Sequence, residues 1–99
     1  MPRWVAIFED NPDAGWVRKQ HSEEHFAYLD RHKDKICEAG GLRPGPEEWF
    51  TGGLWVMDVE TREEAARLCE EDPYFTLGLR RGYRLAVWGK AFPDRRVLI

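Results

Sequence analysis

The chain has 99 residues, a length that supports one hydrophobic core and therefore a single domain over residues 1–99. Charged residues make up 33% and hydrophobic residues 42% of the composition, which excludes a disordered or low-complexity chain. The net charge of -3, with acidic and basic residues interspersed, argues against a nucleic-acid or membrane-surface partner. Because no apolar run reaches a membrane span and no signal-peptide pattern is present, a cytoplasmic location is expected.

Several features argue against cofactor or metal chemistry. Cys37 and Cys69 have no CxxC or Cys/His ligand spacing, and both are predicted to be small buried hydrophobes inside helices. There is no Gly-rich phosphate loop and no nucleophile elbow, so neither a cofactor nor a metal is expected. The doublet Arg80-Arg81 is predicted to be a solvated surface.

The first half of the chain predicts a strand followed by a helix. Arg3–Phe8 is β-branched and aromatic and precedes a turn-rich segment, so it is predicted to be strand one. Its apolar run is continuous, which predicts cover on both faces. A helix is predicted from Ser22, as N-cap, to Ala39, where Gly40-Gly41 ends it. His25 falls at the border of the buried stripe of this helix.

The second half predicts a loop, two strands and a second helix. Leu42–Gly52 is rich in proline and glycine, which predicts a short strand at most, followed by a loop that shapes one wall of a pocket. The next strand is Gly53–Val59, and the last core strand is Tyr83–Trp88. Between them, Thr61 and Glu64 form a capping box at the start of helix two.

The stretch Cys69–Gly78 ends helix two at a carboxylate. The residue before a proline is pushed out of the α region, so Asp72, before Pro73, should lie at a turn at the rim of the apolar layer. Asp72 is the best-placed acid in the chain, and His25 on the other helix is the candidate partner that can exchange protons with it.

The order of strands and helices is that of an α+β, ferredoxin-like βαββαβ fold with an antiparallel sheet. Two helices cover only one face of such a sheet, yet the strands carry apolar side chains on both faces, Trp4, Trp55 and Trp88 among them. We therefore expect a homodimer through the open sheet face. The aliphatic end Val97–Ile99 is expected to pack on the chain or on a partner.

The pattern resembles the YciI-related (YCII-related domain) family of dimeric α/β-barrel proteins over nearly the whole chain. The matching pieces are His25-x-x-Tyr28-Leu29, Gly41-Leu42 with Gly45-Pro46, Asp72-Pro73-Tyr74 with Gly78, and Trp88. The resemblance implies a His-Asp pair in a pocket between helices and sheet, carried by His25 and Asp72. Members often have an arginine where this chain has Ser22, which argues against anion binding at that position, and a phenylalanine where it has Tyr74.

A carboxylate bonded to one imidazole nitrogen fixes the tautomer and leaves the other nitrogen free as general base or acid. This predicts a small cofactor-independent enzyme of the lyase, dehalogenase or isomerase type. Its substrate would be a small aromatic or lactone-like metabolite. Tyr74, Tyr28 and Trp49 are candidate substrate-binding residues, although each also suits packing at a core boundary.

Three alternatives stay open from the sequence. The pair could be a structural hydrogen bond that ties the two helices together. The pocket could belong to a non-catalytic small-molecule-binding or regulatory homodimer, in which His25 only donates a hydrogen bond. A cofactor-free oxygenase is the third.

Overall fold

The computed structural model describes residues 2–96, which form one antiparallel sheet with helices packed on one face. The elements are β1 (Arg3–Asp10), a 3₁₀ turn (Pro12–Ala14), α1 (Trp16–Arg31), β2 (Ile36–Leu42), β3 (Gly52–Asp58), α2 (Arg62–Glu70), α3 (Pro73–Thr76) and β4 (Arg80–Val87). The strand order β2-β3-β1-β4 is that of a ferredoxin-like fold, so the predicted α+β class is confirmed. Val97–Ile99 lies outside the described residues. Within residues 2–96, no helix has the length and apolar character needed to cross a membrane.

Helix one ends earlier than the sequence predicts. The segment Ile36–Leu42, assigned above to the end of helix one and the start of the loop, is the edge strand β2. The physical reason is pairing, since β2 bonds to β3 with Ile36 opposite Met57 and Gly40 opposite Leu54. One buried position, Ile36, fits either a helix or an edge strand, and only the neighbouring strand decides between them.

At its other end, α1 begins at Trp16, so Ser22 lies inside it. Ser22 directly follows a kink at His21, whose backbone angles (φ -127°, ψ 19°) are not helical, and a second helical segment therefore begins at the predicted start.

The two cysteines differ in position. Cys69 is a buried residue of α2, as predicted, and burial raises the pKa of its thiol to about 12. Cys37 lies in β2, where it is exposed and its Sγ donates to the Val56 carbonyl oxygen at 3.2 Å. The prediction of a buried helical Cys37 is therefore wrong, because the segment that carries it is a strand.

The sheet buries one face under the helices. Along β1 the buried residues alternate, and Trp4, Ala6 and Phe8 belong to the core that also contains residues of α1 and α2. Trp55 pairs with Ala6 across β1 and β3, so it shares this covered face. Trp4 and Trp55 therefore belong to the helix-covered one of the two apolar faces.

The second face of the sheet is also apolar, and its apolar side chains are aliphatic. Val5 pairs with Val56, and Ile7 pairs with Leu54, on the side away from the helices. Val5, Ile7 and Leu54 are partly exposed in the single chain. This face, defined by Val5, Ile7, Leu54 and Val56, is called the open sheet face below.

The break after helix two is confirmed. Thr61 caps α2, since its Oγ1 accepts from the Glu64 N–H at 3.1 Å. The Glu64 carboxylate accepts from Lys35 Nζ at 2.9 Å, where the capping box predicts a bond to the Thr61 N–H. Asp72 has extended backbone angles, φ -67° and ψ 137°, and α3 begins at Pro73.

The strand after this turn starts earlier than predicted. β4 begins at Arg80, whose pairing partner is Asp10 of β1. The prediction that Arg80 and Arg81 are both exposed to solvent is therefore wrong for Arg80. Arg80 is buried in the sheet, and only Arg81 is exposed.

Candidate functional site

His25 and Asp72 meet inside the fold. Helix α1 buries His25 to 6% exposure, and the turn between α2 and α3 buries Asp72 completely. His25 Nδ1 lies 2.7 Å from Asp72 Oδ1. A carboxylate beside Nδ1 selects the tautomer in which Nδ1–H donates, so Nε2 keeps its lone pair. The structure therefore brings together the two residues that sequence reasoning paired, and leaves Nε2 as the group available for proton transfer.

The Asp72 carboxylate has few other partners. Its main-chain oxygen accepts from the Phe75 and Thr76 N–H groups at 2.8 and 3.0 Å, but its side chain makes no cap to α3. Oδ2 is buried and has no hydrogen-bond partner among the described residues. One bond to His25 is thus the main polar contact of a fully buried carboxylate, an arrangement more typical of functional sites than of stabilising ones.

Tyr74 forms the third side of this cluster. Its ring stacks on the His25 ring with centroids 3.8 Å apart and planes inclined by 6°. Burial raises the pKa of the Tyr74 hydroxyl, and the nearby Arg18 and Arg80 guanidinium groups oppose that effect. The hydroxyl therefore stays protonated at neutral pH, and the stack holds the imidazole in one orientation.

A cavity of about 220 Å³ opens beside the imidazole. Its lining is aromatic and aliphatic with a few polar groups: Arg18, Ser22, His25, Phe26, Leu29, Ala39, Gly40, Gly41, Trp49, Phe50, Trp55, Tyr74 and Arg80. A cavity of about 150 Å³ suffices for benzene, so this one accommodates a single ring with a few substituents.

The other two predicted binding residues take different positions. Trp49 lines the cavity and is 51% exposed, so it stands at the mouth. Tyr28 does not line the cavity. Its hydroxyl donates to the Leu68 carbonyl oxygen at 2.7 Å and its ring packs in the core. The structure therefore gives Tyr28 a bracing position between α1 and α2, away from any ligand in this cavity.

Sequence reasoning missed two arginines at this cavity. Arg18 on α1 donates from Nη2 to Asp10 Oδ2 at 2.9 Å, and Arg80 on β4 donates from Nη1 to Asp10 Oδ1 at 2.7 Å. Arg18 also bonds to the Gly52 carbonyl oxygen. These positions were not predicted, because helix one was begun at Ser22 and Arg80 was assigned to the surface. The arginine that family members often have at position 22 is absent, yet guanidinium groups reach the cavity from elsewhere.

Small residues make room for this arrangement. A Cβ on Gly41 would lie 2.5 Å from Phe50 Cδ1, so only glycine lets the Phe50 ring pack on β2. A Cβ on Gly53 would lie 3.1 Å from Arg80 Nη2.

Among residues 2–96, no cluster of three or more His, Cys, Asp or Glu side chains is placed to hold a metal ion.

The fold and the cavity define an α+β protein of the ferredoxin-like class, with a His-Asp pair beneath a small aromatic-lined pocket. The model of the YCII-related domain matches residues 2–89. The chain therefore belongs to the YCII-related domain family, as its motifs indicated.

Several solved structures share this fold. The 5-chloro-2-hydroxyhydroquinone dehydrochlorinase TftG of Burkholderia phenoliruptrix AC1100, in complex with 2,5-dihydroxybenzoquinone, is 25% identical, with a TM-score of 0.78 over 88% of this chain and 93% of that one. A protein from Agrobacterium tumefaciens is 13% identical, with a TM-score of 0.54 over 92% and 94% of the two chains, and shows the fold alone. Comparison with curated proteins gave no match.

Proposed function

We propose that this protein is a small enzyme that uses His25 and Asp72 for acid/base chemistry on a one-ring aromatic metabolite, without a cofactor. The observation that carries the proposal is the 2.7 Å contact between His25 Nδ1 and a completely buried Asp72 carboxylate, with the imidazole lining a cavity. A proton acceptor with a fixed tautomer beside a ligand cavity is the minimum apparatus for general base catalysis.

In the proposed step, the ring first forms a keto tautomer, in which one hydroxyl has lost its proton and the carbon that carries the halide has gained one. His25 Nε2 then takes the proton of a second ring hydroxyl, and the electrons of that O–H bond form a C=O double bond. The ring double bond shifts to the carbon that carries the halide, and the halide leaves with the electrons of its own bond to carbon. Asp72 stabilises the imidazolium that forms. Without a leaving group, the same proton transfer followed by return of the proton to another atom is an isomerisation.

Two observations favour an aromatic substrate over a lactone-like one. The cavity walls include the rings of Phe26, Phe50, Trp55 and Tyr74, which suit a flat apolar molecule. The structural similarity to TftG, a dehydrochlorinase crystallised with a six-membered quinone, supports elimination of halide from a hydroxylated ring.

We also propose that the protein is a homodimer through the open sheet face. Val5, Ile7 and Leu54 are apolar, adjacent and partly exposed in the single chain. An identical sheet is a self-complementary cover for such a face. Within one chain, the main hydrophobic core lies under the helix-covered face.

The function is tested with chlorinated di- and trihydroxybenzenes under nitrogen, by chloride release and by the ultraviolet spectrum of the quinone formed. Turnover by the wild type is expected to fall about 10²–10⁴-fold in His25→Gln, because the general base is lost. His32→Ala is the matched control. His32 caps the C-terminus of the same helix and does not line the cavity, so its variant is expected to retain wild-type turnover.

Three outcomes would contradict the proposal in different ways. Equal turnover by wild type and His25→Gln removes His25 from the chemistry. Saturable ligand binding without turnover of any tested ring favours the binding or regulatory alternative. Turnover that occurs in air but not under nitrogen, when the assay is repeated in air, indicates the oxygenase alternative.

A further inference from the structure

The cavity is charged on one side only. Among the described residues 2–96, the permanently charged side chains that line it are those of Arg18 and Arg80, both cationic, and no carboxylate of this part of the chain lines it. Asp10, the shared partner of the two guanidinium groups, lies behind them with its side chain 5% exposed. The two guanidinium groups share Asp10 as their hydrogen-bonded carboxylate. The Asp72 carboxylate acts on Arg80 through its charge, without a direct bond.

The cationic side is built into the core. The Arg80 side chain is 2% exposed and that of Arg18 is 10% exposed. Arg80 Nε is buried and has no hydrogen-bond partner among the described residues. Burial lowers the pKa of the Arg80 guanidinium, and its bond to Asp10 opposes that effect. A buried cation with an unused donor at a ligand cavity is costly unless a ligand completes it.

Tyr74 links this cationic side to the proposed base. The Arg18 and Arg80 guanidinium carbons lie 5.2 and 5.3 Å from the centroid of the Tyr74 ring. The same ring stacks on His25 at 3.8 Å. One small ring in the cavity can therefore present an oxygen to the arginines and another edge to the imidazole.

We propose that Arg18 and Arg80 form an oxyanion subsite, and that the ligand of this cavity is a one-ring anion, either a phenolate or a carboxylate. This inference rests on the proposed function for the identity of the cavity, but it concerns binding and needs no turnover. The two guanidinium groups hold the anionic oxygen and orient the ring so that an adjacent position faces His25 Nε2. They also stabilise negative charge that develops on that oxygen when the base removes a proton.

The test is isothermal titration calorimetry with matched pairs of ring compounds at neutral pH. Benzoate is compared with its neutral isostere benzamide, and pentafluorophenol, which is ionised, with its neutral isostere pentafluoroaniline. The wild type is expected to bind the anion of at least one pair about 10- to 100-fold more tightly than the neutral partner. The pair with the larger ratio identifies the carboxylate or the phenolate as the preferred anion.

The variants are Arg18→Met, Arg80→Met and Arg18→Lys, with Arg81→Met as control. Arg81 is adjacent in sequence but its side chain is 61% exposed and pairs with Glu9. Arg18→Met and Arg80→Met are expected to lose most of the preference for the anion. Arg18→Lys is expected to keep part of this preference, and Arg81→Met to keep all of it. Circular dichroism shows whether each variant is folded, and Arg18→Lys, which keeps the charge, remains informative if Arg80→Met does not fold.

Equal affinity of the wild type for the anion and for its neutral isostere overturns the inference. An unchanged preference for the anion in both Arg18→Met and Arg18→Lys overturns it as well. These results are distinct from failure of the proposed function. If turnover depends on His25 but no anion is preferred, the oxyanion subsite is wrong and the enzyme stands. If anions are preferred but no ring is turned over, the subsite stands and the enzyme is wrong.

Discussion

Replacement of Asp72 by asparagine separates a catalytic pair from a structural one. The change keeps the shape of the side chain and removes its charge. Asp72 is completely buried, bonds to His25 through Oδ1, and has no partner for Oδ2 within residues 2–96. A structural pair would lose stability when its charge is removed, whereas a functional carboxylate in this environment would lose activity.

The expected stability change follows from two opposed quantities. The hydrogen bond of a charged group contributes about 1.5–3 kcal/mol, which Asp72→Asn weakens. Burial of an ionised carboxylate costs several kcal/mol, which Asp72→Asn removes. The free energy of unfolding should therefore fall by no more than about 1 kcal/mol, or rise. For a domain of this size, that loss lowers the melting temperature by no more than about 8 °C.

The expected loss of activity is much larger. An asparagine amide donates a hydrogen bond to Nδ1, and so favours the tautomer in which Nε2 carries the proton and cannot act as base. We expect turnover to fall about 10²–10⁴-fold. ¹⁵N NMR of the His25 imidazole reports which nitrogen is protonated and needs no substrate. The proton should be on Nδ1 in the wild type and on Nε2 in Asp72→Asn.

Asp30→Asn is the matched control, since Asp30 is on α1 with its side chain 81% exposed. It should change neither turnover nor the tautomer. A melting temperature more than about 15 °C lower in Asp72→Asn, with the His25 tautomer unchanged, would refute the reasoning, because it would show that the pair mainly stabilises the fold.

Three further predictions concern the cavity and its supports. Gly41→Ala places a Cβ against the Phe50 ring, so it should weaken ligand affinity in calorimetry, while an unchanged affinity would show that the loop can move away. Tyr28→Phe removes the bond to the Leu68 carbonyl oxygen, and should lower the free energy of unfolding in urea by about 0.5–1.5 kcal/mol without loss of turnover. Burial raises the pKa values of the Tyr28 and Tyr83 hydroxyls, so the unfolded chain gives up these protons at lower pH than the folded one. Stability should therefore be complete below pH about 10 and fall above it, and thermal melts of Tyr28→Phe should show a shallower fall. The same slope in wild type and variant would contradict this.

Local backbone preferences were enough to predict the position of Asp72, the acid of the proposed pair. Proline fixes its own φ and disfavours the α region in the residue before it, so Asp72 was placed at a turn without knowledge of any neighbour. The Thr61 cap depends on atoms within one helical turn and was likewise predictable. The helix spacing around His25, together with the family resemblance, was enough to name its partner.

The edge strand β2 shows where local rules fail. Ile36–Leu42 has one buried side chain and a pair of glycines, a pattern that fits the end of a helix as well as an edge strand. Its hydrogen bonds go to β3, and the energy that decides between the two conformations comes from that pairing. At the other end of helix one, the predicted start at Ser22 coincides with the kink at His21 and misses the first helical segment, which begins at Trp16 and carries Arg18.

What the sequence determined by itself is the class of fold, the turn at Asp72 and, with the family resemblance, the two members of the proposed pair. The fold class and the turn were accessible because they depend on hydrophobic spacing and on short-range backbone preferences. What only the tertiary structure decided is the cationic side of the cavity. Asp10, Arg18 and Arg80 come from β1, α1 and β4, and a register that pairs Asp10 with Arg80 brings them together. Their charges interact only after the sheet has formed and has excluded water, so no spacing in the sequence could reveal them.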